Sequence, residues 1–314
     1  MNHIYPKTAL QDKHGFFRKK RAGLILLAYL SPFLAAVIVF KYIPIFGWIL
    51  AFIKYQPGVP IFQSEFTGLR YFQRIFVGTD FWKVLRNTLG INLIGIGMSW
   101  VPVAFAIMIT QVPYKLYARS IQTLTSIPNF ISWVLVYAVM FYLIGSESSA
   151  INHLFIGLGI IDRPLSVLTN VKAAWVVQVT LGLWKGTGYG AIIYLASIMG
   201  IDQELYQAAD VDGCSGFQKI IHITVPGVAP TYFVMLLLSI SNMLSNGFEQ
   251  YWLFGNGITW EMLEVFDTYV YRMGIINGDF SFSTALGIFR TIISVILLTG
   301  ANRMSKYIRG ETIF

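Results

Sequence analysis

Charge is what this chain has least of. Only 12% of its 314 residues are Asp, Glu, Lys or Arg, where a soluble domain carries roughly 25%. With 55% hydrophobic residues, and apolar runs long enough to cross a bilayer, a soluble globular class is excluded. The single cysteine, Cys214, excludes an intramolecular disulfide and a cysteine-based metal cluster, and is read as filling a small-residue position in a turn. Four histidines, His3, His14, His153 and His222, stand at no ligand spacing. HExxH, GxSxG, the Walker-type GxxxxGK(S/T) and GxGxxG are all missing. An embedded hydrolase needs a nucleophile with a base, or a metal with several ligands, and the sequence offers neither. Any ATP hydrolysis must therefore come from another chain, so no cofactor is expected here.

What is present is a polytopic membrane pattern. Apolar runs mark six helical spans, at residues 22–42, 87–111, 121–143, 173–199, 228–254 and 284–304. The first is expected to end near Pro44, and Pro128 either kinks the third or marks its entry. Gly90, Gly95 and Gly97 offer close-packing points in the second. The chain divides into a basic tail (1–21), a first span with an external loop carrying short interfacial helices (22–83), a five-helix core (84–304) and a second tail (305–314). Further external loops fall at 145–172, with a short helix near 151–158, and at 255–283. The formal net charge is +8, but it is not spread as a nucleic-acid surface would be. Arg18, Lys19, Lys20 and Arg21 abut the first span, and Arg303, Lys306 and Arg309 close the last. Basic residues beside spans are retained in the cytoplasm, which puts both termini and the loop 202–230 on that side.

That loop reads DQELYQAADVDGCSGFQKIIHITVPGVAP. Asp202 can cap a helix, with Glu204 in its first turn complementing the dipole. Leu205, Ala208, Ala209 and Asp212 then share one face, Gly213 breaks the helix, and Ser215 with Gln218 caps a second one that Pro226 does not easily continue. An amphipathic connector on the membrane surface and a docking element are both consistent with this pattern. Alanines that admit a close backbone, and an Asp-Gly turn, argue for docking. Within the spans, polar groups are costly and so draw attention. Ser239, Asn242, Asn246 and Glu249 (or Gln250) recur at helical spacing in the fifth span. Lys185 and Tyr189 stand four apart in the fourth, among glycines and beside Trp184. Rings with amides and hydroxyls suit a sugar, whose C–H face stacks while its hydroxyls bond. The competing account is hydrogen-bonded glue between helices.

The loop resembles the EAA loop of binding-protein-dependent ABC importer permeases, E-A-A-x-x-D-G followed at a distance by I-x-x-P. Here it is Gln207-Ala208-Ala209-Asp210-Val211-Asp212-Gly213, closed by Ile223 and Pro226. Trp184-Lys185, the run 192–196, Asn87-Thr88, Asp267-Thr268-Tyr269-Val270-Tyr271-Arg272, Ala301-Asn302-Arg303 and Phe40-Lys41-Tyr42-Ile43-Pro44 resemble the members that import oligosaccharides or polysaccharide fragments. The resemblance implies an all-α, six-helix, type I importer permease in the bacterial plasma membrane. It implies a second homologous permease, two ATPase subunits that bind ATP and Mg, and an extracellular solute-binding protein. Tyr206, Gln207, Ala208, Ala209, Asp212 and Gly213 would meet the ATPase. Gln207 departs from the pattern's Glu, keeping size and hydrogen-bonding capacity but losing the charge. The rival from another class, an ion-coupled secondary carrier of a small polar solute, would call for inverted repeats and a relay of intramembrane charges. Neither is evident in the sequence.

Overall fold

The computed structural model describes residues 10–309, with side chains for residue 23 and residues 25–303. The first nine residues of the amino-terminal tail and the last five of the chain lie outside it. Among the described residues the chain is almost wholly helical, with one short antiparallel ribbon. Helix α1 (Leu10–Val37) takes in the rest of the expected tail, then passes through a π turn (Ile38–Tyr42) into a 3₁₀ segment (Ile43–Phe52). The first apolar span therefore runs from Ile25 to Phe52 and does not end near Pro44. Proline is tolerated because it enters in the first turn of the 3₁₀ segment, where its missing N–H has no partner to lose.

The external loop then forms the ribbon of β1 (Ile53–Lys54) and β2 (Glu65–Phe66), with Ile53 opposite Phe66, and the helix α2 (Arg70–Val77). The second span begins at Thr79, earlier than the expected residue 87. It consists of α3 (Thr79–Gly97) and α4 (Val101–Thr110), joined by a one-turn break. The expected third span is not one helix: α5 (Lys115–Phe130) and α6 (Trp133–Ile144) meet at 99°. Pro128 lies inside α5, and Ser132 caps α6 through Leu135 N–H at 3.4 Å, so the chain restarts instead of kinking. Beyond α7 (Ala150–Gly157) comes α8 (Ala174–Met199), close to the expected fourth span.

The central loop forms α9 (Gln203–Val211) and α10 (Gly216–Lys219). A π turn (Ile220–Thr224) leads from α10 into α11 (Val225–Ser241). Pro226 does not stop the helix, because it again falls in a first turn behind the π turn. The fifth span consequently covers Gly216–Ser241, ending well short of the expected residue 254. Three short helices follow, α12 (Phe248–Phe254), α13 (Trp260–Leu263) and α14 (Phe266–Tyr271), before the long α15 (Phe280–Arg309). Among the described residues four helical stretches have the length and composition of a membrane span, and the bent α5–α6 pair, taken as one span, makes a fifth. Helix α8 is as long, but its polar residues, Gln178 and Lys185 among them, lower its hydropathy, and it is not one of these stretches.

Helix α8 is the hub, packed against α3, α4, α5 and α11. Small residues let it approach. A Cβ at Gly188 would lie 2.2 Å from the Thr125 carbonyl oxygen of α5, and one at Gly90 on α3 would lie 2.4 Å from the Trp175 ring of α8. Gly95 and Gly97, expected to serve the same way, have nothing within 4 Å of a built Cβ. Three apolar clusters result. Phe81, Phe266 and Leu286 centre one, Leu181, Tyr251 and Phe254 a second, and Ala106, Ala191 and Tyr194 a third.

The external segment is clasped onto α3 by two fully buried polar side chains. Asn87 Nδ2 donates to the carbonyls of Glu261 (2.8 Å) and Glu264 (3.1 Å), and Thr88 Oγ1 accepts from Phe266 N–H (3.0 Å). Arg272 forks onto the Glu264 carboxylate at 2.5 and 3.1 Å. Burial pushes the Glu264 carboxyl above its ordinary value, against the downward pull of Arg272. Substituting Gly188 by Ala should lower the unfolding free energy by about 1–3 kcal/mol through overpacking against Thr125. Gly186→Ala, which meets nothing within 4 Å, should leave thermal unfolding in detergent unchanged.

Candidate functional site

Between α3, α4, α8 and the segment after α11 lies a cavity of about 380 Å³. Its polar wall is made of amides and hydroxyls: Asn92, Gln178, Thr187, Ser239, Asn246 and Gln250, with Ser99, Ser245 and Tyr251 beside them. Among the described residues lining it none is an acid or a basic side chain. The floor is glycine from α3 and α8 (Gly95, Gly182, Gly186), where a side chain would fill the space. Gln250 Nε2 donates to Gln178 Oε1 (2.8 Å) and to its backbone carbonyl (2.9 Å), and both residues are buried. The buried Oδ1 of Asn246 has no partner among the described residues. This wall can offer hydrogen bonds to a hydroxylated ligand without imposing a charge on it.

The polar side chains expected on one helical face of the fifth span do not share a helix. Helix α11 stops at Ser241, with Asn242 Nδ2 turned back onto the Leu238 carbonyl at 3.0 Å. Gly247, at φ +87°, opens the next helix in a conformation that side chains resist. Ser239 and Asn246 still face the cavity, one from each side of the break. Asn242 lines a different hollow, of about 440 Å³, between α11 and α15 with Arg290 and Ser241. Glu249 stands exposed in the first turn of α12, while its neighbour Gln250 is the one buried at the wall.

Lys185 does not line the cavity. Its Nζ donates to the carbonyls of Pro128 (3.2 Å) and Asn129 (2.8 Å), the last turn of α5, and lies 5.5 Å from the centre of the Trp133 ring. It closes the end of the broken third span. Tyr189 is half exposed, edge-on to Phe130 at 6.1 Å. Sequence reasoning passed over Asn92, Gln178 and Ser245. Single amides inside apolar runs were the available signal for the first two, and the turn-forming Ser245-Asn246-Gly247 could have located the break.

A second concave surface lies on the loop between the fourth and fifth spans. Asp202 Oδ1 caps α9 through Glu204 N–H at 2.9 Å, and Ser215 with Gln218 forms a reciprocal capping box, as the sequence pattern requires. Gly213 takes φ +74°, and Cys214 N–H reaches back to the Ala209 carbonyl at 2.9 Å, the bond that ends a helix in a left-handed residue. Lys219 pairs with Asp210 across the turn. Leu205, Ala208, Ala209 and Asp212 line a hollow of about 330 Å³ together with His222 and Ile223. Gln207 lies outside that hollow and is exposed. Tyr206 is tied inward, its hydroxyl 2.9 Å from that of the buried Thr224 at the foot of the fifth span. Apolar Val211 (89% exposed) and Phe217 (70%) are left bare.

Comparison with known proteins gives this geometry a context. The sequence model of the family described as binding-protein-dependent transport system inner membrane component matches residues 94–309. The chain is 36% identical to protein LplB of Bacillus subtilis (strain 168), over 94% of this chain and 92% of that one. It is 35% identical to the polygalacturonan/rhamnogalacturonan transport system permease protein YteP of the same organism, over 95% of each. Among solved structures it is similar to a chain of a bacterial alginate ABC transporter crystallised in complex with alginate pentasaccharide-bound periplasmic protein. The TM-score there is 0.84 at 29% identity, covering 95% of this chain and 99% of that chain.

Lys185→Met leaves two helix-terminal carbonyls without their charged donor and should reduce stability by about 1.5–3 kcal/mol. The concentration of solute giving half-maximal uptake should stay unchanged, since the ammonium does not reach the cavity. A shift in that concentration without loss of thermal stability would reverse the assignment.

Proposed function

Because the chain belongs to the family of inner membrane components of binding-protein-dependent transport systems, we propose that it carries an oligosaccharide or polysaccharide fragment across the bacterial plasma membrane as one half of an ATP-driven importer. It is a membrane transport component, not an enzyme. The observation that carries the saccharide reading is the cavity of about 380 Å³, walled by amides and hydroxyls and free of charged side chains among its described lining. Sugar hydroxyls are donors and acceptors at once and pair with such groups. Similarity to a polygalacturonan/rhamnogalacturonan permease and to an alginate transporter supports the same substrate class.

The working assembly pairs this chain with a second, homologous permease, two ATPase subunits that hold ATP and Mg, and an extracellular solute-binding protein. Both termini and the loop 202–230 face the cytoplasm, as the basic residues beside the spans favour. Tyr206, Gln207, Ala208, Ala209, Asp212 and Gly213 form or support the contact with an ATPase. Supporting this, α9 buries none of its residues within the chain, and the tie from Tyr206 to Thr224 joins it to the foot of the fifth span. Motion of α9 is thereby delivered to α11, whose far end carries Ser239 on the cavity wall.

Two outcomes test the reading in the reconstituted complex. Asn246→Leu should raise the half-saturating saccharide concentration on the order of tenfold, the value of one hydrogen bond to a buried site, while Asn242→Leu should change it little. Gly213→Pro cannot adopt φ +74° and should abolish substrate-stimulated ATP hydrolysis with the complex still assembled. Undiminished stimulation would remove the loop from the coupling path.

A further inference from the structure

Part of the cavity wall is the non-helical segment between α11 and α12, and the order of that segment needs an explanation. Between Ser241 and Phe248 the chain leaves the helical ladder, so the N–H groups of Asn246 and Gly247, just ahead of α12, have no helical carbonyl to meet. A backbone N–H buried away from water cannot be left without an acceptor. The partner is Asp267 on α14. Its Oδ2 accepts from Asn246 N–H at 2.9 Å and from Gly247 N–H at 3.1 Å. Its Oδ1 takes the guanidinium Nη1 of Arg290 on α15, and the Asp and Arg side chains are only 15% and 28% exposed. On the other side of the break Asn92 Nδ2 holds the Met243 carbonyl at 2.8 Å. The segment is thus gripped from α3, α14 and α15.

We propose that Asp267, neutralised by Arg290, is the positioning residue that sets the saccharide-facing shape of the cavity, by holding the Asn246 and Gly247 amides so that Ser245, Asn246 and Gln250 face inward. The geometry makes Asp267 the shared point of two demands. Orphan amides ask for an acceptor, and a partly buried carboxylate asks for a cation. Arg290 meets the second demand, and in doing so is consumed: it lines the neighbouring hollow as half of a neutral pair, not as a free cation for an anionic solute. Gly247 completes the device, since its φ of +87° turns the chain toward α12. This inference rests on the reading of the cavity as the path of the saccharide.

Two double variants separate the roles of acceptor and charge. Asp267→Asn with Arg290→Gln removes both charges but keeps an oxygen for the two amides. Asp267→Ala with Arg290→Gln removes the oxygen as well. Each is built with Ser245→Cys on a Cys214→Ser background, so that a small aqueous thiol reagent reports how residue 245 faces the cavity. Labelling is read on assembled complex in the absence of saccharide. With the oxygen kept, labelling should remain within about twofold and half-saturation of uptake within about threefold of the parent, as expected when both partners of a buried pair are neutralised together. With it removed, labelling should change at least roughly fivefold and the half-saturating concentration should rise about tenfold, with the maximal rate less affected. Identical behaviour of the two double variants overturns the proposal. Should the Ala variant not assemble, Gly247→Ala takes its place. It disfavours the left-handed turn while leaving Asp267 and Arg290 intact, and parent-like labelling there overturns the proposal too. If labelling separates the variants while none of the proteins, parent included, transports saccharide, the positioning role stands and the substrate reading falls.

Discussion

Backbone amides and carbonyls in apolar surroundings must all find partners, and this chain is organised around that demand. Where the chain leaves a helix for a sharp bend, a cavity wall or an external segment, polar side chains from other helices close three of the interruptions. Lys185 of α8 holds the last carbonyls of α5, where the third span turns through 99°. Asn92 of α3 and Asp267 of α14 hold the two sides of the break after α11. Asn87 and Thr88 hold the external segment between α13 and α14. Polar residues inside apolar surroundings are costly unless paired, and these side chains are hydrogen-bonded to backbone groups.

The same economy explains where the cavity sits. Helix α8 needs close contact on several sides and achieves it with glycine, as at Gly188 against Thr125. Other glycines of that helix, Gly182 and Gly186, meet no atom and leave space. The apolar clusters on α8 pack above and below that gap in chain terms, around Leu181 and around Tyr194, so the amide-lined wall is framed by tightly packed neighbours. A small hydroxylated ligand entering there would exchange water for Asn and Gln groups already oriented by the fold.

The loop carrying α9 is held by different means. Its caps, turn and ion pair are local, satisfied within residues 202–219, and the Tyr206 hydroxyl adds a tie to Thr224. Its exposed Gln207 is uncharged, and the apolar residues Val211 and Phe217 are bare.

The amino-acid sequence by itself determined the membrane class, the helical composition, the position of α8 and the caps of α9 and α10, because these depend on hydropathy and on hydrogen bonds between near neighbours. It also carried the family resemblance in the loop 202–230. What it did not determine is where the helices break and which polar groups face one another. Pro44 and Pro226 looked like terminators, yet π turns ahead of them let the helices run on. Asn242 and Asn246 looked like one face, yet the Asp267–Arg290 pair, 21 residues and more away along the chain, makes a break between them worth forming. Helix periodicity records only what a segment would do alone. Whether an unpaired amide can be tolerated depends on an acceptor from another helix, and only the tertiary structure brings that acceptor within 3 Å.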